Sequence, residues 1–452
     1  MNVTDKFIDI IYNIKNTQIP PSVEEKLRFC LVDYLGVTLA GAYDLKVKDD
    51  QLLSLTYDKS QTVFPIGRNQ ASSLIDAVFV NGLNSHFLEL DDGVRYGVIH
   101  PGAPIFSALI PVAVVNNVTW EDFVLGVVSA YEVAIRVSSA VQPYHYSAGF
   151  HPTATCCTLG VAVGLSMMLH FTKQEVKDAF SAATLSSYGT LKVLEDVSQL
   201  KPYNCAKAAL MGFYASIMAR AGFSGPSEPL LGDTGFFKMM CGQWNESVLL
   251  SDTSFFAIEK VYIKPYASCR HTHPEIEAAL WMRQQNVFKI EDIDDIVVRT
   301  YKGVLGKHDI FNISGEASAR MSIPYSLSVS LYTGRAGIEE FCEPYLGNDV
   351  IKSLIDKISI KGDERLSKLV PDKRGAILEV KMRNGMVLSH EVLFPKGEPE
   401  NPLTYQELMD KFTSMTNHAG MNNNSSTRLF KYVVEEQAPD IKTILSYCKV
   451  LD

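Results

Sequence analysis

Residues 137–172 read VSSAVQPYHYSAGFHPTATCCTLGVAVGLSMMLHFT and contain no Asp, Glu, Lys or Arg. How this stretch is read decides the fold. As a lipid span it would define a membrane protein. As a buried helix it would define the middle of a helical domain. Gly160 and Gly164 form a GxxxG pair, which favours close helix contact. But His145, His151, Pro152 and His170 interrupt the stretch. Its continuous apolar part, Leu159–Leu169, is also shorter than the ~20 residues a bilayer requires. The reading is a buried helix whose small residues admit a neighbour, with no membrane association.

Outward from there, residues 1–260 read as mostly helical. Pro20-Pro21 precede Ser22-x-x-Glu25, a capping-box pattern ahead of Val23, Leu27, Leu31 and Leu35. Helical periodicity follows at 71–90, 104–116, 120–139, 153–170, 173–185 and 203–221. Thr119-x-x-Asp122 and Thr172-x-x-Glu175 are further start signals, and Gly222 and Gly225 mark an end. After about residue 260 the character changes. Ile296–Thr300 alternates and is β-branched, and Ile358–Lys361 resembles it. Ala376–Met382, Asn384-Gly385 and Met386–Leu393 predict a hairpin with a two-residue type I′ turn. Ser318–Leu331 reads as a helix between the strands. Beyond Gly397–Pro402 the pattern is helical again, with Thr404-x-x-Glu407 capping 405–415, then 426–436 and 439–448.

The chain has 452 residues, 46% hydrophobic and 21% charged. Two or three domains with a large core follow from that size. Wholesale disorder, a collagen-like chain and a disulfide-stapled mini-protein are excluded. The net charge of −9 argues against a nucleic-acid binder, which needs a basic face to displace counterions. It leaves open an anionic small substrate held by a local basic cluster. The eight cysteines include no Cys-x-x-Cys, and Met1–Ile10 carries Asp5, Lys6 and Asp9. Reduced thiols and a cytoplasmic location are expected.

Three of the ten histidines stand before proline, in His100-Pro101, His151-Pro152 and His273-Pro274, and Lys201-Pro202 is similar. Proline holds the residue before it extended and starts helices well. Each basic side chain is thus expected at a helix N-terminus, where the dipole favours anions. Four of one kind suggest a single polyanion site. The densest cluster is Lys264-Pro-Tyr-Ala-Ser-Cys-Arg270-His271-Thr272-His273-Pro-Glu275, in which Thr272-x-x-Glu275 reads as a capping box. Cys269, His271 and His273 invite comparison with metal ligands, but a fourth ligand is missing and Arg270 would repel a cation. A carboxylate clamp fits better, with arginine as a fork and lysine as a point charge. Glu89, Asp91 and Asp92 close a helix, where carboxylates are unfavourable, so a role in orienting His100 or His86 is expected.

At this point the chain resembles a known family, MmgE/PrpD. The resemblance runs through Val32-Asp-Tyr-Leu-Gly-Val-Thr-Leu-Ala-Gly41, Asn81-Gly82, Glu89-Leu-Asp-Asp92, His100-Pro-Gly102, Gly149-Phe-His-Pro-Thr153 and Lys201-Pro202 with Ala206–Gly212. It continues through Gly222-Phe-Ser-Gly-Pro226, Lys264-Pro-Tyr266, Cys269–Pro274, Ser322-Ile-Pro-Tyr325 and Asn401-Pro-Leu403. It implies a mainly α fold. A large all-helical domain, 1–262 completed by 399–452, would carry a smaller α+β lid domain, 263–398. It also implies a homodimer, no cofactor or metal, and a di- or tricarboxylate substrate. The family's activities are 2-methylcitrate dehydration, cis-aconitate decarboxylation and iminodisuccinate epimerisation. Carried over by motif, the catalytic residues are His100, His151, Lys201 and Tyr325. The substrate-binding residues are Glu89, Lys264, Arg270, His271 and His273.

Glu89 stands where the family pattern has aspartate, and Gly93 where it has threonine. With the differing Arg270–Pro274 segment, this favours dehydration or epimerisation over decarboxylation. The shared step is proton transfer at a carbon next to a carboxylate. Preorganised cations would stabilise the charge that develops, and histidine suits the base. His100 is the expected acid/base, His151 a relay or ligand, and Tyr325 a proton donor to a leaving hydroxyl. The leading expectation is a cofactor-independent hydro-lyase. An epimerase, a decarboxylase and a non-catalytic carboxylate-binding protein are the alternatives.

Overall fold

A computed structural model describes residues 1–55, 62–195, 198–251 and 256–451. The charge-free stretch is not one helix. Trp120–Val141 ends within it, and Pro152–Met168 begins after a short turn at Tyr144–Ser147. The two helices pack through their small residues. A Cβ on Gly160 would lie 2.6 Å from the Ala130 carbonyl oxygen, and one on Gly164 would lie 2.6 Å from the Ala130 Cβ. Larger side chains would force the helices apart. Among the described residues, Trp120–Val141 alone is long and apolar enough to cross a membrane, and 89% of its apolar window is buried inside the protein.

Around this pair pack Gly102–Asn116, Lys173–Ser186 and Lys201–Arg220, with Leu74–Phe87 laid against the last of these. The long Pro21–Asp44 helix carries Leu27, Leu31 and Leu35 into the same core. Leu408, Phe412, Leu429 and Phe430 join that core from Tyr405–His418 and Asn423–Glu435, so the chain's end returns to its beginning. Gly67–Arg68 also pairs in parallel with Lys449–Leu451, a small sheet in an otherwise helical region.

A second core lies under a four-stranded sheet. Ile293–Thr300 pairs in parallel with Ile358–Gly362 and antiparallel with Ala376–Met382, which pairs with Val387–Val392. Ile296, Val298, Leu378 and Val380 point to Ala278, Ala279 and Met282 of the His273–Gln285 helix. A third cluster joins the two parts, with Val37, Leu88 and Met415 against Ala267, Tyr325 and Phe341. The fold is mainly α with a smaller α+β part.

Several local readings change. Thr119, Thr172 and Thr404 cap their helices as expected. Ser22 does not: the helix starts at Pro21 with Pro20 at its N-cap, because proline already supplies the starting geometry. The hairpin turn is not type I′, which needs positive φ at both central residues. Only Gly385 is left-handed (φ 86°), and its N–H donates to the Met382 carbonyl, so the loop closes through a glycine bulge. The expected helix at 318–331 is two, Glu316–Met321 and Ile323–Thr333, divided where Ser322 caps the second. All eight cysteines are free.

Candidate active site

The Leu74–Phe87 helix delivers His86 from its last turn. Three residues after His86, Glu89 adopts φ 55°, a left-handed conformation that costs energy for a side chain of this size. The strained turn is clamped from outside. The Gly93 N–H donates to the Tyr262 carbonyl (3.1 Å), and the Tyr262 N–H donates back (2.8 Å). A Cβ at Gly93 would sit 2.3 Å from the Tyr262 hydroxyl, which accounts for glycine where the resemblance has threonine. The same bridge brings in Lys264, two residues beyond Tyr262. Its ammonium donates to the Glu89 carbonyl (2.8 Å) and lies 3.8 Å from Oε2 of the carboxylate. Lys201, the first residue of its helix, is ion-paired to Glu89 Oε1.

The acidic turn orients histidines, as the sequence suggests. Asp91 Oδ2 accepts from His86 Nδ1 (2.7 Å) and lies 3.5 Å from His100 Nδ1. The Asp92 carbonyl accepts from His100 Nδ1 (2.7 Å). Its carboxylate caps the next helix through Gly102 N–H (2.9 Å) and accepts from the Tyr131 hydroxyl (2.7 Å). The His86 ring stands 4.8 Å from His100 and 6.5 Å from His151, centroid to centroid.

These bonds set the tautomers of the two main histidines in opposite senses. A carbonyl can only accept, so His100 carries its proton on Nδ1 and leaves Nε2 as a free base. His151 Nδ1 accepts from Asn204 Nδ2 (3.1 Å), whose orientation the Thr190 carbonyl also favours. A neutral His151 therefore carries its proton on Nε2. Burial holds both imidazoles well below their usual pKa, and the Lys201 and His86 charges add to this at both, so both are neutral. Burial would raise the Glu89 carboxyl, but Lys201, His86 and Lys264 outweigh it and keep it ionised. Burial would lower Lys201, and Glu89 reverses that. Burial pushes Asp92 up to about 7.

The expected site residues divide. His100, His151, Lys201, Glu89 and Lys264 converge. Tyr325 does not reach them: it is buried in the junction core, its hydroxyl donating to the Glu340 carbonyl (2.8 Å). Arg270 is not a free clamp. Its guanidinium donates to Glu398 Oε1 from Nε and Nη2, and to the Pro395 and Lys396 carbonyls, and it lies over the Tyr262 ring. His273 is turned away as well, between Arg270 Nη1 (2.9 Å) and the Ser268 carbonyl (3.2 Å). Thus three of the four basic-proline pairs meet, and the fourth braces Arg270. Thr272 forms no capping box; its hydroxyl bonds to the Cys269 carbonyl and Ser268, and the buried Glu275 carboxyl has no hydrogen-bond partner among the described residues. His271 stacks on His308 (4.8 Å).

The cluster is also not an unrelieved positive site, because Glu89 and Asp91 face Lys201 and Lys264. Further positive charge comes from Lys307 and Arg374, neither ion-paired among the described residues. Lys307 lies over the Tyr146 ring (5.2 Å), and Arg374 acts on Tyr146 and His271. His86, Glu89 and His100 are close enough to suggest a cation site. But Lys201 and Lys264 already occupy Glu89, which disfavours a metal there. Asn204 escaped the sequence reading, although its place three residues after Lys201 puts it one helical turn away.

No curated protein matches the chain significantly. Family models match both halves: the MmgE/PrpD N-terminal domain over residues 5–248 and the MmgE/PrpD C-terminal domain over 266–433. With that coverage, the chain belongs to the MmgE/PrpD family.

Proposed function

We propose that this chain is a cofactor-independent hydro-lyase acting on a hydroxylated di- or tricarboxylate. The family suggests an enzyme of lyase type. The observation that carries the finer reading is the opposed tautomers of His100 and His151 beside Lys201. His100 Nε2 takes the proton from the carbon next to a carboxylate. The C–H electron pair moves into that carbon as the aci-carboxylate, whose charge Lys201 and Lys264 stabilise. The pair then forms the double bond as the neighbouring C–O bond breaks. The His100 imidazolium then gives its proton to the departing hydroxyl, which His151 Nε2–H holds by a hydrogen bond as it leaves as water. Glu89 Oε2, which has no hydrogen-bond partner among the described residues and lies 3.8 Å from the Lys264 ammonium, is an acceptor for a substrate hydroxyl and repels a carboxylate.

The same cluster supports a second reading. His100 as base on one side and the Lys201 ammonium as acid on the other can remove a proton from one face and return one to the opposite face, which is epimerisation. Incubating hydroxylated di- and tricarboxylates in D2O and following them by NMR tests both. Loss of water supports the hydro-lyase. Deuterium incorporation with inversion supports the epimerase. Loss of CO2 would point to decarboxylation, and no change across the panel would remove the enzymatic reading.

A homodimer is part of the proposal. Tyr203, Tyr214, Ile217 and Met218 are exposed along the Lys201–Arg220 helix, with Leu185 and Phe223 also exposed nearby in the chain. Such an apolar face suits a second copy. Light scattering at micromolar concentration should give twice the 50.1 kDa chain mass, and a monomer would remove this part of the reading.

A further inference from the structure

We propose that Cys269, His271 and His308 form a binding site for a zinc-class divalent cation in the α+β part of the chain. The sequence points to Cys269, His271 and His273, with Arg270 as an objection. The structure changes both terms. His273 turns away, and His308 arrives from the loop after Lys302–Val304. Arg270 faces Glu398 instead of the thiol.

One ligand atom from each of the three residues lies within 4.8 Å of the others. Neither His271 Nε2 nor His308 Nε2 has a hydrogen-bond partner among the described residues, and the His271 backbone N–H favours the thiolate of Cys269. Both imidazoles are held from behind. His308 Nδ1 donates to the Met321 carbonyl (3.0 Å), which leaves Nε2 as a lone-pair donor. His271 Nδ1 is engaged by the Tyr301 hydroxyl. Orientation by such outer partners is what metal-bound histidines show. One thiolate and two imidazoles suit zinc, with a fourth position left for solvent or a ligand.

Zinc–sulfur and zinc–nitrogen bonds of roughly 2.3 and 2.0 Å require each ligand atom to move inward by about 1 Å at most. The His308 loop can supply much of this. Lys201 and Lys264 act electrostatically on Cys269, and Lys307 and Arg374 on His271, so affinity should be moderate. The site lies beside Lys201, whose charge acts on Cys269 and His308, but it uses neither His100 nor His151, so the proposed reaction requires no metal.

The test is a cobalt(II) titration of the full, metal-stripped chain. One equivalent should produce sulfur-to-cobalt charge transfer in the near ultraviolet and strong tetrahedral visible bands, both abolished by added zinc. Cys269→Ser should remove the charge transfer, and Cys241→Ser should keep it. His308→Ala should weaken binding at least tenfold with an unchanged far-ultraviolet spectrum. Absence of charge transfer in the wild type, or its survival in Cys269→Ser, would overturn the site. These readouts do not depend on turnover, so they stand apart from the proposed reaction.

Discussion

Glu89 carries a left-handed backbone and an ion pair to Lys201 at once, with Lys264 on its own carbonyl. The strained turn is thus held by the two ammonium groups that the proposed chemistry uses. Glu89→Gln should break the pair and leave Lys201 buried and uncompensated. Breaking a buried pair costs on the order of 3–5 kcal/mol. Thermal denaturation should therefore show a lowered Tm that citrate, as an anion for Lys201, partly restores. A variant with the wild-type Tm would mean that the pair contributes nothing.

The division of labour between His100 and His151 is separable. His100→Asn should abolish both turnover and exchange of the substrate's α-proton. His151→Asn should lose turnover yet keep exchange, since the base is intact. Each should cost roughly 10²–10⁴-fold. Equal loss of exchange in both variants would end the assignment of His100 as the base and of His151 as the group that holds the leaving hydroxyl.

Arg270→Lys distinguishes a clamp from a brace. Lysine cannot make the several bonds that Arg270 makes to Glu398 and the Pro395 and Lys396 carbonyls. Stability should fall by about 2–4 kcal/mol in urea, with KM of the folded fraction unchanged. A raised KM at wild-type stability would restore the clamp.

What was legible in the sequence follows from how local the signal is. His100, His151 and Lys201 each precede proline, so adjacent residues set their backbone and place them at helix starts. Asp91 and Asp92 act within about ten residues, on His86, His100 and Gly102, whereas Glu89 meets Lys201 112 residues further on. Arg270 reads as a ligand because its partner Glu398 lies 128 residues further on. Tyr325 reads as a proton donor until the Glu340 carbonyl is seen against it. His308 carries no motif at all, and only the folding of its loop onto His271 gives it a role.

Glu275 gives a pH test of the α+β core. It is fully buried on the His273–Gln285 helix, and neither carboxylate oxygen has a partner among the described residues. The nearby Thr300 hydroxyl is bonded to the Gly375 carbonyl instead (3.3 Å). Burial pushes the Glu275 carboxyl from its ordinary 4.5 up to about 8. Between those values the folded chain keeps a proton that the unfolded chain has released. Raising the pH therefore favours unfolding across this window, with a slope of up to about 1.4 kcal/mol per pH unit. This contribution is fully present below pH 4.5, is lost as the pH rises through 8, and then levels off. Other groups titrate in the same range, so the difference between wild type and Glu275→Gln isolates it. Glutamine keeps the shape and cannot ionise. The variant should match the wild type near pH 5 and become the more stable of the two by pH 8, measured by urea denaturation. A difference that does not change with pH would mean that Glu275 is not a buried, proton-holding carboxyl.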